Sequence, residues 1–548
     1  MKKLTLTSLT LLLVVVLFLS GCVPSKKSTS SENSDPNGPV EVTIFTPKFS
    51  DDEDFSENEF TKMVEEKFNM KINWEYVNQD AAKEKRQLSL ASGDYPDAYM
   101  LVTWLDNISK VDAQKYGKEG VFLPLNDLIK DQAPNIQKAM EDLPYLEKGM
   151  TAPDGNIYGL PLVNECYHCS VSGKMWINTE WLNNLNLEMP KTAEEFKEVM
   201  KAFKNDDPNG NGKKDEIPLS GETPKVGGNP IQFLMGAFIP NNGIDYINVN
   251  EGKLSLGAMQ PEWKEGLKYV HSLYEEGLID NGAFTQNSEA FKQLGTPEGD
   301  AILGAAAGQH SAIFVDLQSE HSKSYHVVPP LKGPNGAQYT SSNYGNVNNF
   351  AFAITDKAKG EKAEALIKLA DYLYSEEGTI ATTRGKEGVH WKKGDPEDID
   401  LNGQQAKLVQ IPQDPNLTDE EKDAMKYGWG ERGPLGLTRT IRDYTAADID
   451  EWSPEGFERR LFNATKKYDG FQPEEQFNFE AAWVDPEEAE EVALLKININ
   501  KYIEEHMVQF ATGSENIDKD WDNYIDGFKT LQVDRYLEIY QKAYDLGK

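Results

Sequence analysis

Two α/β lobes are what this sequence predicts, on three observations. The chain has 548 residues, too many for one hydrophobic core. Its first folded stretch reads strand, helix, strand, the unit from which parallel sheets are built. Strand and helix patterns then keep alternating, with no short-period repeat of the kind that marks a solenoid or a propeller.

Residues 40–45, Val40-Glu41-Val42-Thr43-Ile44-Phe45, alternate at the strand period. Phe60, Met63, Val64 and Phe68 recur at helical spacing, and residues 71–77 read as a second strand. A helical stretch then runs into Ala91-Ser92-Gly93-Asp94-Tyr95-Pro96-Asp97, followed by a short apolar strand, 99–102. Further on, 261–276 is an amphipathic helix, 325–329 a strand stopped by two prolines, and 349–354 a strand feeding the helix 361–374. From Pro486 the pattern is helices studded with aromatics.

Hydrophobic content of 39% and charge of 27% are those of a folded globular chain. With 90 acidic residues against 56 basic ones the net charge is −34, which argues against a nucleic-acid partner and against docking to anionic lipid heads. The charge of a small ligand stays open, because a basic cleft can lie within an acidic surface.

Behind Lys2 and Lys3 an apolar run, 9–19, leads to Leu19-Ser20-Gly21-Cys22. The run is about half the roughly 20 residues a membrane span needs, so 1–21 reads as a signal peptide. The small residues before Cys22 resemble the bacterial lipobox, which implies cleavage there and diacylation of the Cys22 thiol. Residues 22–39 are rich in Ser, Lys, Asn, Asp and Pro and read as a flexible tether. The expectation is a monomeric body, lipid-anchored to the extracytoplasmic face of a bacterial cell membrane. Two cysteines remain, Cys166 and Cys169. A structural disulfide, free thiols, and redox or metal roles are the readings open to them; a thioredoxin-like pair belongs near the start of a domain, a metal site needs two more ligands, and the haem signature needs His where Ser170 stands.

Several stretches together resemble a family: the strand, helix, strand opening, residues 91–97, Asp154-Gly155-Asn156-Ile157-Tyr158-Gly159-Leu160-Pro161, Ile177-Asn178-Thr179-Glu180-Trp181-Leu182 and Tyr325-His326-Val327-Val328-Pro329-Pro330. They look like the extracellular solute-binding proteins (family 1) of carbohydrate ABC importers. Residues 207–218 and the helical tail narrow the likeness to the large calcium-carrying, oligosaccharide-binding lipoproteins of the LplA/LipO and alginate-binding type. The resemblance implies a two-lobed, periplasmic-binding-protein-like fold of type II, with hinge crossings and an interlobe cleft. It implies an oligosaccharide ligand, uronate-bearing fragments included, handed to the permease subunits of an ABC transporter. The corresponding partition is 40–165 with 345–390 in the N-terminal lobe, and 166–344 with 391–548 in the C-terminal lobe.

Asp207-Pro208-Asn209-Gly210-Asn211-Gly212-Lys213-Lys214-Asp215-Glu216 carries side-chain oxygens at loop positions 1, 3, 5 and 9, with Gly at 6. That is the spacing by which an EF-hand loop wraps calcium. The expected ligands are Asp207, Asn209, Asn211, the Lys213 carbonyl, Asp215 and Glu216, holding a structural ion. Position 12, usually Glu, is Pro218, and the Asp215-Glu216 pair replaces it, as in the resembling family. A capping box, Thr192 with Glu195, starts the helix that delivers the loop.

No His-Glu-x-x-His, phosphate loop or nucleophile elbow occurs, so no catalytic residue is assigned and the chain is read as a non-enzyme. Gly428-Trp429-Gly430-Glu431-Arg432-Gly433 matches the dinucleotide spacing, but a charged helical stretch precedes it and Pro434 follows, where a strand and a helix belong. Its glycines are expected to bring a loop close to something, a ligand among the options. Among 90 acids some pair always suits glycoside hydrolysis, so a secreted carbohydrate-active enzyme is the alternative. Sugar sites need flat aromatic faces and charged or amide groups. The residues expected to bind ligand are therefore Trp104, Tyr167, Trp176, Glu387, Trp391, Trp429 and Arg432. Trp181, Trp263, Trp452, Trp483 and Trp521 lie in helix-like patterns and are expected to pack.

Overall fold

The computed structural model describes residues 38–547, apart from 51–52, 164–165, 224, 226, 341–346, 348, 413–416, 419–426 and 437. The signal peptide, Cys22 and the tether through residue 37 lie outside the described residues, as does most of the charged stretch ahead of Gly428. Twelve strands are described: β1 (Val40–Lys48), β2 (Met70–Asn78), β3 (Ala98–Met100), β4 (Met175–Asn178), β5 (Ile217–Ser220), β6 (Ile247–Asn250), β7 (Lys253–Leu256), β8 (Leu303–Ala307), β9 (Tyr325–Val328), β10 (Phe352–Ile354), β11 (Trp391–Lys393) and β12 (Leu408–Gln410).

The first sheet has the order β10-β3-β1-β2. β1 runs parallel to β2, from Val40 opposite Met70 to Lys48 opposite Asn78, and parallel to β3. β10 closes the sheet antiparallel to β3. Val42 and Ile44 are fully buried, and from Ile44 to Pro47 every β1 residue is buried, as befits a strand covered on both faces. The stretch 91–97 finds its reason here. Gly93 ends the helix Ala82–Ser92 at φ +78°, a conformation that favours glycine. Asp97 Oδ2 then accepts from Thr43 N at 2.8 Å and pairs with Lys362 Nζ at 2.9 Å, tying β1 to the helix Glu361–Tyr374.

The second sheet, β5-β8-β4-β9, is mixed: β5 is parallel to β8, and β4 antiparallel to both β8 and β9. The helix Ala193–Asn205 begins with the expected capping box, Thr192 Oγ1 accepting from Glu195 N and Glu195 Oε2 from Thr192 N, both at 3.1 Å. Its face Phe196, Val199, Met200 and Phe203 is buried on this sheet's side. The helices Ala489–Thr512, Ile517–Thr530 and Val533–Leu546 pack Ile499, Tyr524 and Tyr536 into the same core.

Each sheet thus has its own large hydrophobic core. Trp429, Leu435 and Trp483 join the first core, a departure from the expected allotment of 391–548 to the other lobe. The chain after β10 stays with the first sheet through the helix Glu376–Arg384, and later returns to it briefly at Trp483. Trp181 and Trp263 are core residues as expected. Among the described residues no helix is long and apolar enough to cross a membrane.

Candidate functional site

β1 and β3 lie side by side and parallel, so the residues just past them share the sheet edge at which open α/β sheets take ligands. Phe49 follows β1 directly, and Trp104 follows β3 by four residues. Their rings stack, 5.6 Å between centroids and 11° between planes. Trp104 remains 67% exposed and Phe49 37%, an open aromatic surface of the kind that covers the C–H face of a sugar ring. Phe49 and Phe55 border a cavity of about 1040 Å³, at the top of the range for small-ligand pockets. Thr382 and Arg384, at the carboxyl end of Glu376–Arg384, border it too, with Val409 of β12 and the exposed Ile449. Five carboxylates, Glu53, Glu397, Asp398, Asp448 and Glu455, also lie on it.

Behind Phe49 sits Arg432, nearly fully buried. Its Nη2 pairs with Glu53 at 2.8 Å, its Nε donates to Pro47 O and its Nη1 to Trp429 O. The guanidinium lies 4.5 Å from the Phe49 ring centre and 4.7 Å from that of Phe55. Burial pulls its pKa down, and Glu53 opposes the shift. Arg432 thus borders the cavity where a ligand contact was expected, and its guanidinium braces that wall through protein partners.

Trp429 needs a larger correction. It has no exposed surface; its ring meets Phe60 and Trp74 edge-on, and Nε1 donates to Thr61 Oγ1 at 2.9 Å. The flanking glycines bring the loop backbone against helix Glu376–Arg384: Trp429 N donates to Thr382 Oγ1 and Gly430 N to Thr382 O, both at 3.0 Å. That is what the spacing of glycines serves. Trp176 is likewise core, in mid-β4 with Nε1 on Gly308 O.

Tyr167 is partly exposed, its Oη donating to Asp469 at 2.6 Å and its ring against Phe462. Trp391 and Glu387 border a neighbouring cavity of about 500 Å³ that shares Gly385 and Tyr427 with the main one. Trp391 Nε1 donates to Gly385 O, and Glu387 stands exposed near Lys393. Phe49, Phe55 and Arg384 were not among the residues expected from sequence. Phe49 was within reach, since the strand-end rule that selects Trp104 selects it equally.

Residues 207–216 form a loop between Ala193–Asn205 and β5. Asp207, Gly210 and Gly212 all have positive φ. Asp207 Oδ2 accepts from Gly212 N, Asn209 Oδ1 from Asn211 N and Asn211 Oδ1 from Lys213 N, which curls the chain around its own side chains. Asp207 Oδ1 and Glu216 Oε1 are buried without any hydrogen-bond partner. Burial, and then the charges of Asp215 and Asp207, push the Glu216 carboxyl up. Buried carboxylate oxygens without donors, crowded by like charge, are what a hard cation with oxygen ligands relieves. The residues present fit calcium. Cys166 and Cys169 are joined in a disulfide, so although His168 lies close to both sulfurs, no thiolate is there to bind metal.

Two lobes around separate sheets, with an aromatic-bordered cavity beyond the strand ends, define a ligand-capturing protein. The family model of the bacterial extracellular solute-binding proteins matches residues 55–380, and the chain belongs to this family. It is 29% identical over 501 residues to the fructooligosaccharide ABC transporter substrate-binding protein FusA of Streptococcus pneumoniae, covering 90% of this chain and 87% of that one. It is 26% identical over 410 residues to the polygalacturonan/rhamnogalacturonan-binding protein YtcQ of Bacillus subtilis, covering 72% and 76%. The solved structure of S. pneumoniae FusA with kestose superposes at a TM-score of 0.67, with 28% identity, over 92% of this chain and 99% of that one. A second structure, of a FusA EF-hand mutant with fructo-nystose, superposes at 0.66 over the same shares.

Proposed function

We propose that this chain is the substrate-binding lipoprotein of an ABC transporter, capturing an oligosaccharide between its lobes and delivering it to a membrane permease without altering it. The observation that carries the reading is the exposed Phe49–Trp104 stack beside the cavity of about 1040 Å³. Trp104 would supply the stacking face and Phe49 its extension, while Tyr167, Trp391 and Glu387 would meet more distant sugar units. FusA and YtcQ, both carbohydrate binders by name, support the class of ligand. The body would be tethered outside the cell by a diacylated Cys22, and one calcium ion would sit on Asp207, Asn209, Asn211, the Lys213 carbonyl, Asp215 and Glu216. The orphaned oxygens of Asp207 and Glu216 support that ion, and an EF-hand has been altered in a FusA structure that still holds its sugar.

The test is a tryptophan-fluorescence titration with fructo-oligosaccharides and pectic fragments, with the glycan recovered afterwards. Saturable binding, a smaller radius in scattering as the lobes close, and unchanged glycan are expected. No saturation with any oligosaccharide overturns the binding reading, and a shortened glycan replaces it with the enzyme. For the anchor, Cys22→Ser should release the protein from membranes, since stable anchoring draws on two acyl chains.

A further inference from the structure

The chain leaves the first core at Val163 and joins the second at Val171, and the disulfide Cys166–Cys169 lies in that crossing. A ring nitrogen of His168 and the two sulfurs all lie within 4.8 Å of one another. The turn that gathers them has supports besides the S–S bond. Cys169 N and Ser170 N both donate to Cys166 O at 3.1 Å, Ser170 Oγ donates to Tyr167 O at 2.7 Å, and Lys174 Nζ to His168 O at 2.7 Å. A bridge across three positions also adds little of its own, since the stabilisation grows with the length of loop closed. Cys169 is partly open to solvent, so a reductant can reach the bond, and the turn should keep its shape when the bond is cut.

Glu458 Oε2 faces His168 Nδ1 at 3.4 Å. A carboxylate on one imidazole nitrogen is the outer partner that metal-bound histidines ordinarily have; it fixes the ring and leaves the other nitrogen to the ion. Two cysteines with two residues between them are likewise a common half of a zinc site. We propose that, once the disulfide is reduced, Cys166, Cys169 and His168 hold a zinc ion, with water in the fourth position and Glu458 orienting the His168 ring. A dithiol supplies the two electrons and two protons that turn the S–S bond into two thiols, and is itself oxidised to a disulfide. Zinc then displaces the two thiol protons, which pass to solvent. Sulfur and nitrogen ligands select a borderline-soft ion, unlike the all-oxygen loop 207–216. The crossing thus has two alternative staples, a covalent bond when oxidised and an ion when reduced.

The experiment uses the folded Cys22→Ser chain, in which Cys166 and Cys169 are the only cysteines, with calcium kept in the buffer so that loop 207–216 does not compete for the probe. A water-soluble phosphine reduces the disulfide, becoming a phosphine oxide with oxygen from water, and is then removed. The reduced protein should take one zinc ion, and cobalt(II) in its place should show thiolate-to-metal charge transfer with the visible bands of a tetrahedral ion. The oxidised protein should show neither. Zinc should raise the melting temperature of the reduced form only, as expected of an ion that binds the folded state. Glu458→Gln should weaken zinc binding by about 10- to 100-fold, His168→Asn should shift the cobalt spectrum, and Cys169→Ser should abolish it. Reduced protein that takes no more zinc than oxidised protein overturns the proposal, as does a disulfide that the phosphine opens only after unfolding in urea. Zinc held by the thiols but indifferent to both His168→Asn and Glu458→Gln is an adventitious dithiol chelate and also overturns it. Should Cys169→Ser not fold, Glu458→Gln, which keeps both cysteines, decides.

Discussion

The two lobes spend their special residues differently. The lobe around β1 places aromatics at its strand ends, braced from behind by Arg432, Glu53 and Trp429. The lobe around β4 and β5 carries an oxygen-lined loop, 207–216, that enters β5 at its amino end, away from the carboxyl ends where ligands sit in α/β sheets. On the proposed function, one lobe would meet the ligand and the other would be held by an ion. Damage to the first should therefore reach binding, and loss of the ion should reach stability alone.

The largest expected effect comes from Trp429→Ala. Removing a fully buried indole costs about 3–5 kcal/mol, read as an earlier unfolding transition of the first lobe. Because Arg432 Nη1 rests on the Trp429 carbonyl and its guanidinium lies under Phe49, sugar binding should weaken with it. A variant as stable as wild type would mean the ring is not in the core.

Calcium removal comes next. An ion that binds only the folded state stabilises it by roughly 3 to 4 kcal/mol at 100 to 1,000 times its Kd. Chelation should lower the melting temperature of the second lobe, calcium should restore it, and Asp207→Ala with Glu216→Gln should remove the response. Sugar affinity should change by less than about twofold, within the range of distant surface effects. If chelation abolishes sugar binding, the division of labour between the lobes fails.

Trp104→Ala reverses that pattern. The side chain is 67% exposed, so the melting temperature should hold, while affinity should fall by about 1–3 kcal/mol, the worth of a buried aromatic contact on the ligand. Calorimetry with unchanged affinity would place the stacking face elsewhere.

The same contrast explains what could be read from sequence. The ion loop is ten contiguous residues whose oxygens and glycines state their own geometry, and the capping box at Thr192 and Glu195 is local too. The expected strand from 40 and the helix 361–374 were visible because their periodicity is local. Trp104 could be picked because a strand end is a local mark. Trp429 could not be judged, since its direction is fixed by Thr61 Oγ1, 368 positions away in the chain, and by a loop glycine meeting Thr382. Arg384 is told from other arginines by its place on the cavity wall, a property that exists after folding and not before.

The smallest effect compares the lobes through one buried lysine each, at the places where the chain passes between them. Lys110, 2% exposed, donates to Ala481 O at 2.7 Å beside the Trp483 ring and pins the returning segment to the first lobe. Lys174, fully buried, donates to His168 O at 2.7 Å and to Val171 O, holding the stretch around the disulfide. Among the described residues neither has a carboxylate partner, and burial lowers each from 10.5 to about 7. Between these two values the unfolded chain binds more protons than the folded one, so stability rises with pH across that window and levels off below it, where both states are protonated. Between pH 7 and 8 each lysine should add on the order of 1 kcal/mol. Lys110→Met and Lys174→Met should each flatten the rise in urea unfolding measured at several pH values, Lys110→Met in the first lobe's transition and Lys174→Met in the second's. If either variant keeps the wild-type slope, that lysine is not buried unpaired, and if both act on one transition, the two lobes unfold as a single unit.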